Sequence, residues 1–296
     1  MLKGLETLEE QLLRSVRTGR FPHAHIFEGP FGCGKKTLVD GLCRALNCTG
    51  EHPPCGLCAN CLRYAHGNAV NSLRLLPEKS VKVETIRDLI EKVSVRPFDG
   101  GRMTVVIEAA DHLTAQAQNA LLKTLEEPPE YAVFFLIVER MSALLSTIVS
   151  RCAVHHVHPL EEEDCAQVLR ERGVDPQQAP LLARAAQGSV GRALQIASDE
   201  AYMNDVRAVN AALDGVCAAS DIPAAALSLC DEKRDAERTL ELVEGWARAR
   251  LLKEGVLDGG RLLGAVADAR MKLASNVSRQ HAMELMLFAA AGNLKA

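Results

Sequence analysis

The stretch Glu28-Gly29-Pro30-Phe31-Gly32-Cys33-Gly34-Lys35-Lys36-Thr37 constrains this chain more than any other. The apolar pair Ile26-Phe27 leads into it, and a helical stripe of Leu38, Leu42, Ala45 and Leu46 leads out. A strand, a glycine-rich turn and a helix opening on lysine is the layout of a nucleotide phosphate loop, which commits the chain to an α/β fold. Gly29, Gly32 and Gly34 let the backbone turn so that successive N–H groups face phosphate oxygens at a helix N-terminus. Lys35 stands where the loop's lysine reaches the outer phosphates. The next position breaks the pattern. A hydrolysing loop needs Ser or Thr there to ligate magnesium. Lys36 only donates hydrogen bonds. Thr37 does not repair the loss, because one step along a helix turns the side chain by ~100°. Gly29, Gly32, Gly34, Lys35, Lys36 and Thr37 therefore form a candidate nucleotide site that keeps its shape and has lost a metal ligand.

Two further positions weaken the same site. Thr104-Val105-Val106-Ile107-Glu108 reads as a buried strand. A phosphate-loop ATPase ends this strand in Asp for magnesium, followed by Glu as the base. Here the strand ends in Glu108 and the next residue is Ala109. Ala132 to Val138 is a second buried strand, of the kind found in parallel sheets. It ends in Glu139 where a phosphate-sensing Asn or Thr would be useful. ATP hydrolysis by the chain alone is not expected.

Cysteine usage gives a second, independent signal. The 296 residues contain ten cysteines. The start of the chain reads as an amphipathic helix rather than a signal peptide, and no apolar run reaches membrane-spanning length. A soluble, cytoplasmic protein without a membrane partner is expected, and in that compartment cysteines serve as metal ligands or buried thiols. Cys48, Cys55, Cys58 and Cys61 have the spacing of four thiolates closing on Zn²⁺. The competing iron–sulfur run would place another cysteine four residues after Cys61, where Ala65 stands. Four thiolates leave no open position, so the zinc is expected to be structural.

The rest of the chain reads as organisation. The length suggests two or three domains. Residues 5–17 are expected to form a helix, 68–82 loop and short extended segments, and 84–93 a helix. Asp99-Gly100-Gly101 reads as a turn. Thr114 caps a helix that Pro128-Pro129 stops, and 153–157 can make a last strand. Residues 1–160 thus form the α/β core, with the cysteine module at 48–61. Short helices at about 161–171, 178–186 and 190–197, the third capped by Ser189, form a small lid over 161–199. Residues 200–296 read as Ala- and Leu-rich helices, with Trp246 in their core. The histidines of His23-Ala24-His25 read as packing or capping groups rather than ligands, and no role is assigned to them. The net charge of −4 gives no global field toward nucleic acid.

Several runs carry a family resemblance: His23-Ala-His-Ile-Phe-Glu-Gly29, the cysteine cluster after the first core helix, Asn119-Ala-Leu-Leu-Lys-Thr-Leu-Glu-Glu-Pro-Pro129, and Thr147-Ile-Val-Ser-Arg-Cys152. Gly188-Ser-Val-Gly-Arg192 fits the lid. Together they resemble the AAA+ clamp-loader subunits of bacterial DNA polymerase III, and within them the delta-prime type. The similarity is dense over roughly residues 20–200 and thin beyond. It implies an AAA+ phosphate-loop core with an inserted zinc module, a helical lid, and an all-α collar that joins subunits. It also implies a hetero-pentameric ring with gamma/tau and delta subunits, which loads a sliding clamp onto primed DNA with ATP held by sister subunits. Delta-prime resembles a non-hydrolysing member; the gamma/tau type, which hydrolyses ATP, is the alternative. The resemblance makes Arg151 a candidate arginine finger acting on a neighbour's ATP, against an ordinary surface arginine paired with acidic residues. It makes Arg192 a candidate lid arginine touching the chain's own nucleotide, against an exposed helix arginine.

Overall fold

The structure, a computed structural model, describes residues 2–76, 81–98, 100–231, 234–251 and 257–291. Asp99 of the expected turn lies outside them, as do residues 77–80 of the 68–82 stretch and the last residues of the C-terminal region. The chain divides into two compact units, Met1–Pro159 and Leu160–Ala296.

The first unit is an α/β layer structure. Its elements are α1 Glu6–Arg17, β1 Ala24–Glu28, α2 Lys35–Leu46, α3 Ala59–Ala65, β2 Ser72–Leu75, α4 Val83–Val93, β3 Met103–Ile107, α5 Ala115–Glu126, β4 Ala132–Val138, α6 Ser146–Val149 and β5 Ala153–His156. The strands pair in parallel in the order β2-β3-β4-β1-β5. All seven residues of β4 are buried, as a strand covered on both faces requires. Because side chains alternate, each strand feeds two cores. Ile26, Val105, Ile107, Phe134 and Leu136 pack with residues of α4 and α5, including Ile86 and Leu121. Phe27, Val106, Val133, Phe135 and Ile137 pack on the other face with Leu12 of α1 and with Leu38 and Leu42 of α2.

Two segments took regular form where the sequence suggested little. The strand β2 emerged from the 68–82 stretch, carried by its ladder to β3 rather than by any apolar run of its own. The helix α3 starts at the cysteine cluster, with the Cys58 sulfur accepting from the Cys61 N–H as its N-cap.

The described residues of the second unit form helices and their connections, with one isolated antiparallel bridge between Leu257 and Ala291. The unit comprises α7 Glu162–Glu171, α8 Ala179–Ala185, α9 Val190–Ser198, α10 Glu200–Asp214, α11 Ile222–Leu229, α12 Ala236–Ala249, α13 Gly259–Ala274 and α14 Arg279–Ala290. Ser189 caps α9 through Arg192 N–H. One core joins Leu169, Leu182 and Ile196 of the first three helices with Val206, Trp246 and Leu287 of the later ones. The Trp246 indole N–H donates to Asp214 at 2.8 Å, which satisfies its polar atom. No helix among the described residues is long and apolar enough to cross a membrane.

Candidate functional site

The phosphate loop lies where the parallel sheet predicts a ligand crevice, at the C-terminal end of a central strand. Gly29 must be glycine, since a Cβ there would meet the Val157 carbonyl oxygen at 2.0 Å. Gly32 and Gly34 have positive φ, and Gly34 at +92° turns the chain into α2. Lys35 is buried, and its ammonium donates to the Gly29 carbonyl and, at 2.6 Å, to the Pro30 carbonyl. Burial lowers its pKa, while Cys33, Glu139 and Asp111 act to raise it. The lysine is thus engaged by the loop's own carbonyls. Thr37 is exposed on α2.

Protein cations gather at Glu108. The Lys36 ammonium stands 3.2 Å from Glu108 Oε1, joining the two positions that would share the metal into an ion pair. Arg74 of β2 donates to the same oxygen at 2.5 Å and also binds Asp40 of α2. Glu108 is fixed by its backbone, whose N–H bonds Leu75 O at 3.0 Å. The Lys36 and Arg74 charges would repel a divalent ion at this point, and they already engage the Glu108 carboxylate that would otherwise attract it. Sequence reasoning missed Arg74, which sits outside every motif; only the β2–β3 ladder brings it beside Glu108. Ala109 follows in a left-handed conformation, φ 45°, and offers no side chain that could act as a base. The Glu139 N–H donates to Asp111 at 3.3 Å, which ties the third altered position to the turn after β3.

Arg151 follows α6. Its guanidinium pairs with Glu126 at 2.5 Å and donates to Thr147 O and Ser150 Oγ at 3.0 and 3.2 Å. Arg192, in the second unit, pairs with Glu241 and lies 3.4 Å from the Tyr202 hydroxyl.

The four cysteines come together as their spacing suggests. Their sulfurs all lie within 4.8 Å of one another, with Cys55–Cys61 and Cys58–Cys48 each at 4.0 Å. A tetrahedral ion with Zn–S bonds of about 2.3 Å needs sulfurs about 3.8 Å apart, so the donor set fits zinc. Backbone N–H groups of Gly50, Cys55, Cys58 and Cys61 point at sulfurs at 3.3–3.4 Å, which favours thiolates. The Cys61 N–H bond draws the Cys58 pKa down to about 5, while burial pushes Cys61 up to about 12. Four sulfurs this close cannot all ionise without a cation among them. Gly50 is a requirement the sequence reading passed over: a Cβ there would meet Cys55 Cβ at 2.7 Å and its sulfur at 2.8 Å. Asn47 fastens the module to the core, with its Nδ2 3.0 Å from Arg102 O and from the Tyr64 hydroxyl.

Comparison with known proteins follows this geometry. The sequence pattern of the family described as DNA polymerase III, delta subunit, matches residues 4–161. The DNA polymerase III subunit tau of Escherichia coli (strain K12) is 33% identical over 264 residues, 86% of this chain and 41% of the relative. The DNA polymerase III subunits delta' of Escherichia coli (strain K12) and Bacillus subtilis (strain 168) are 36% and 34% identical over 193 residues, 63% and 64% of this chain and 58% of each relative. The matched span is thus 41% to 58% of these relatives' own length. A crystal structure of a DNA polymerase III gamma subunit-related protein from Thermotoga maritima superposes with a TM-score of 0.50 at 18% identity, covering 97% of this chain and 98% of that one. That likeness concerns the fold.

Proposed function

The chain belongs to the family described as DNA polymerase III, delta subunit, and from that premise we propose that it is a non-hydrolysing clamp-loader subunit of the delta-prime type. In this reading it supports ATP-driven loading of a sliding clamp onto primed DNA, in a ring with gamma/tau and delta subunits. The observation that carries the reading is the Lys36–Glu108–Arg74 cluster, in which protein cations stand at the magnesium position. The delta' and tau relatives are about equally similar, so the proposal rests on the cluster rather than on identity.

The proposed contribution to hydrolysis is made in trans. Arg151 supplies positive charge to the terminal phosphate held by a neighbouring subunit, where charge develops during transfer. Its planar fork stays charged and matches phosphate oxygens. Glu126 holds that fork in the isolated chain, and a neighbour's phosphate would take its place. The Cys48–Cys55–Cys58–Cys61 site holds a structural zinc that ties α2 to α3, with no catalytic step assigned to it. Arg192 is committed to Glu241, which argues against a strong contact with nucleotide.

A second reading, an ATP-hydrolysing subunit of the gamma/tau type, is favoured by the longer match to tau. The test is steady-state ATP turnover by the purified, zinc-loaded chain with magnesium, compared with a Lys35→Ala variant. Equal background rates are expected. Turnover that disappears in Lys35→Ala would establish the gamma/tau reading instead.

A further inference from the structure

An open groove of about 790 Å³ runs beside the cysteine module, lined by Arg63, Arg96, Arg102, Asn60 and Tyr131 among others. It belongs to the end of the sheet opposite the phosphate loop. Arg102 immediately precedes β3 and Tyr131 precedes β4, so the groove adjoins the N-terminal ends of parallel strands whose C-terminal ends face the nucleotide site. The three guanidinium groups come from three segments: the last turn of α3, the loop after α4, and the approach to β3. Arg63, Arg96 and Arg102 are exposed, and none forms an ion pair among the described residues. Among the described residues Glu130 is the one carboxylate lining the groove, which Cys48 of the cysteine cluster also borders, and Arg102 donates to the Glu130 backbone carbonyl at 2.7 Å. Arg102 is also held through its backbone, whose N–H bonds Asn47 Oδ1 at 3.0 Å.

We propose that this groove binds the phosphodiester backbone of a nucleic-acid strand. Arginines placed on separate segments around an open channel suit a succession of phosphates better than one small anion. Arginine pairs with each phosphate through a planar fork. An acidic protein segment would present the same charge but also apolar anchors, which supply most binding energy in protein interfaces. The groove offers little for them, since among the described residues Leu46 and Tyr131 are the large apolar side chains that line it. Polar, positively charged linings are characteristic of nucleic-acid interfaces. Because the channel lies away from the phosphate loop, its occupant would not compete with nucleotide.

The test is fluorescence anisotropy of a labelled oligothymidylate of about 20 nucleotides with the zinc-loaded full chain, over a range of salt. The double variant Arg63→Gln/Arg96→Gln is compared with Arg170→Gln/Arg172→Gln, which removes the same charge from exposed positions at the C-terminal end of α7. Removing two phosphate contacts should weaken binding about tenfold or more and flatten the log–log salt slope by about 1.4, while the α7 variant stays near wild type. Unchanged zinc content and melting temperature in both variants ties the loss to the groove. Equal affinities for the two variants would overturn the proposal. Displacement of the oligonucleotide by an acidic peptide of equal charge at equal concentration would also overturn it, in favour of a protein partner.

Discussion

Acidification should destabilise the first unit through His25 above all, with its partner His155, whose pKa burial also lowers, adding to the effect. His25 on β1 is fully buried, with Nε2 3.0 Å from Pro22 O and Nδ1 3.0 Å from His155 Nε2. One proton arrangement satisfies both contacts: Nε2–H donates to the carbonyl, and Nδ1 accepts from His155. A second proton on His25 would set donor against donor, amid the rings of Phe21, Phe27 and Phe135. Burial, and then the charge His155 would carry, push the His25 pKa from 6.5 to about 3. The unfolded chain therefore takes a proton near pH 6.5 that the folded chain refuses until about pH 3. Stability is full above 6.5 and falls as the pH drops toward 3. Between about pH 8 and about pH 5 the loss is about 2 kcal/mol, since each unit of unmatched protonation is worth about 1.4 kcal/mol. The assay is urea unfolding at both pH values, for wild type and for His25→Phe, which preserves the ring stack without titrating. Loss of zinc at low pH affects both proteins and cancels in the comparison. The variant should be less stable at the higher pH but lose about 2 kcal/mol less on acidification. Equal pH dependence in the two proteins would refute the reasoning.

Metal analysis should find one zinc per chain, with affinity falling as pH drops because protons compete for the thiolates; iron, or no metal in fresh protein, would reject the assignment. Gly50→Ala should weaken zinc binding by about 10–100-fold, measured by competition with a chromogenic chelator, because the new methyl group collides with Cys55. In a reconstituted loader, Arg151→Ala should slow the neighbouring ATP site by ~10³, with a smaller loss for the whole ring, while Glu126→Gln should raise the rate by releasing the guanidinium. Unchanged ATPase with Arg151→Ala in an intact ring would reduce Arg151 to a surface residue. Lys36→Thr alone should restore no magnesium-dependent turnover, because Arg74 still occupies Glu108 and Ala109 still supplies no base; a measurable rate in that variant would mean that Arg74 and Ala109 do not block the site.

What the chain disclosed in advance followed from interactions local in sequence. The helix after the phosphate loop, the buried strand Ala132–Val138, and the caps at Thr114 and Ser189 depend on periodicity or on bonds spanning three residues. The cysteine module was legible because thiolate spacing limits how four sulfurs can converge. Other features depended on long-range contacts. The sequence suggested only short extended segments somewhere in 68–82, and it is the pairing with β3 that makes Ser72-Leu73-Arg74-Leu75 an edge strand. Arg74 was invisible for the same reason: its partners Asp40 and Glu108 each lie 34 residues away. Gly50 and His25 read as ordinary until their neighbours are known, one pressed against a ligand sulfur and the other sealed among rings.

That division bears on how the altered nucleotide site holds together. Taken singly, Lys36, Glu108 and Glu139 look like losses, each removing one group that nucleotide chemistry needs. In three dimensions the first two are complementary. A lysine at 36 without a carboxylate opposite would leave Arg74 and Lys36 as neighbouring like charges, and a carboxylate at 108 without them would lack a counter-ion. With all three present, α2, β2 and β3 are joined by side-chain ion pairs at the point where a hydrolysing site would rely on bound metal. The surface pairs contribute little individually, but a shared carboxylate makes them a network. The cluster thus links these elements without a bound metal, which suits a subunit whose proposed contribution is Arg151 rather than a catalytic cycle of its own.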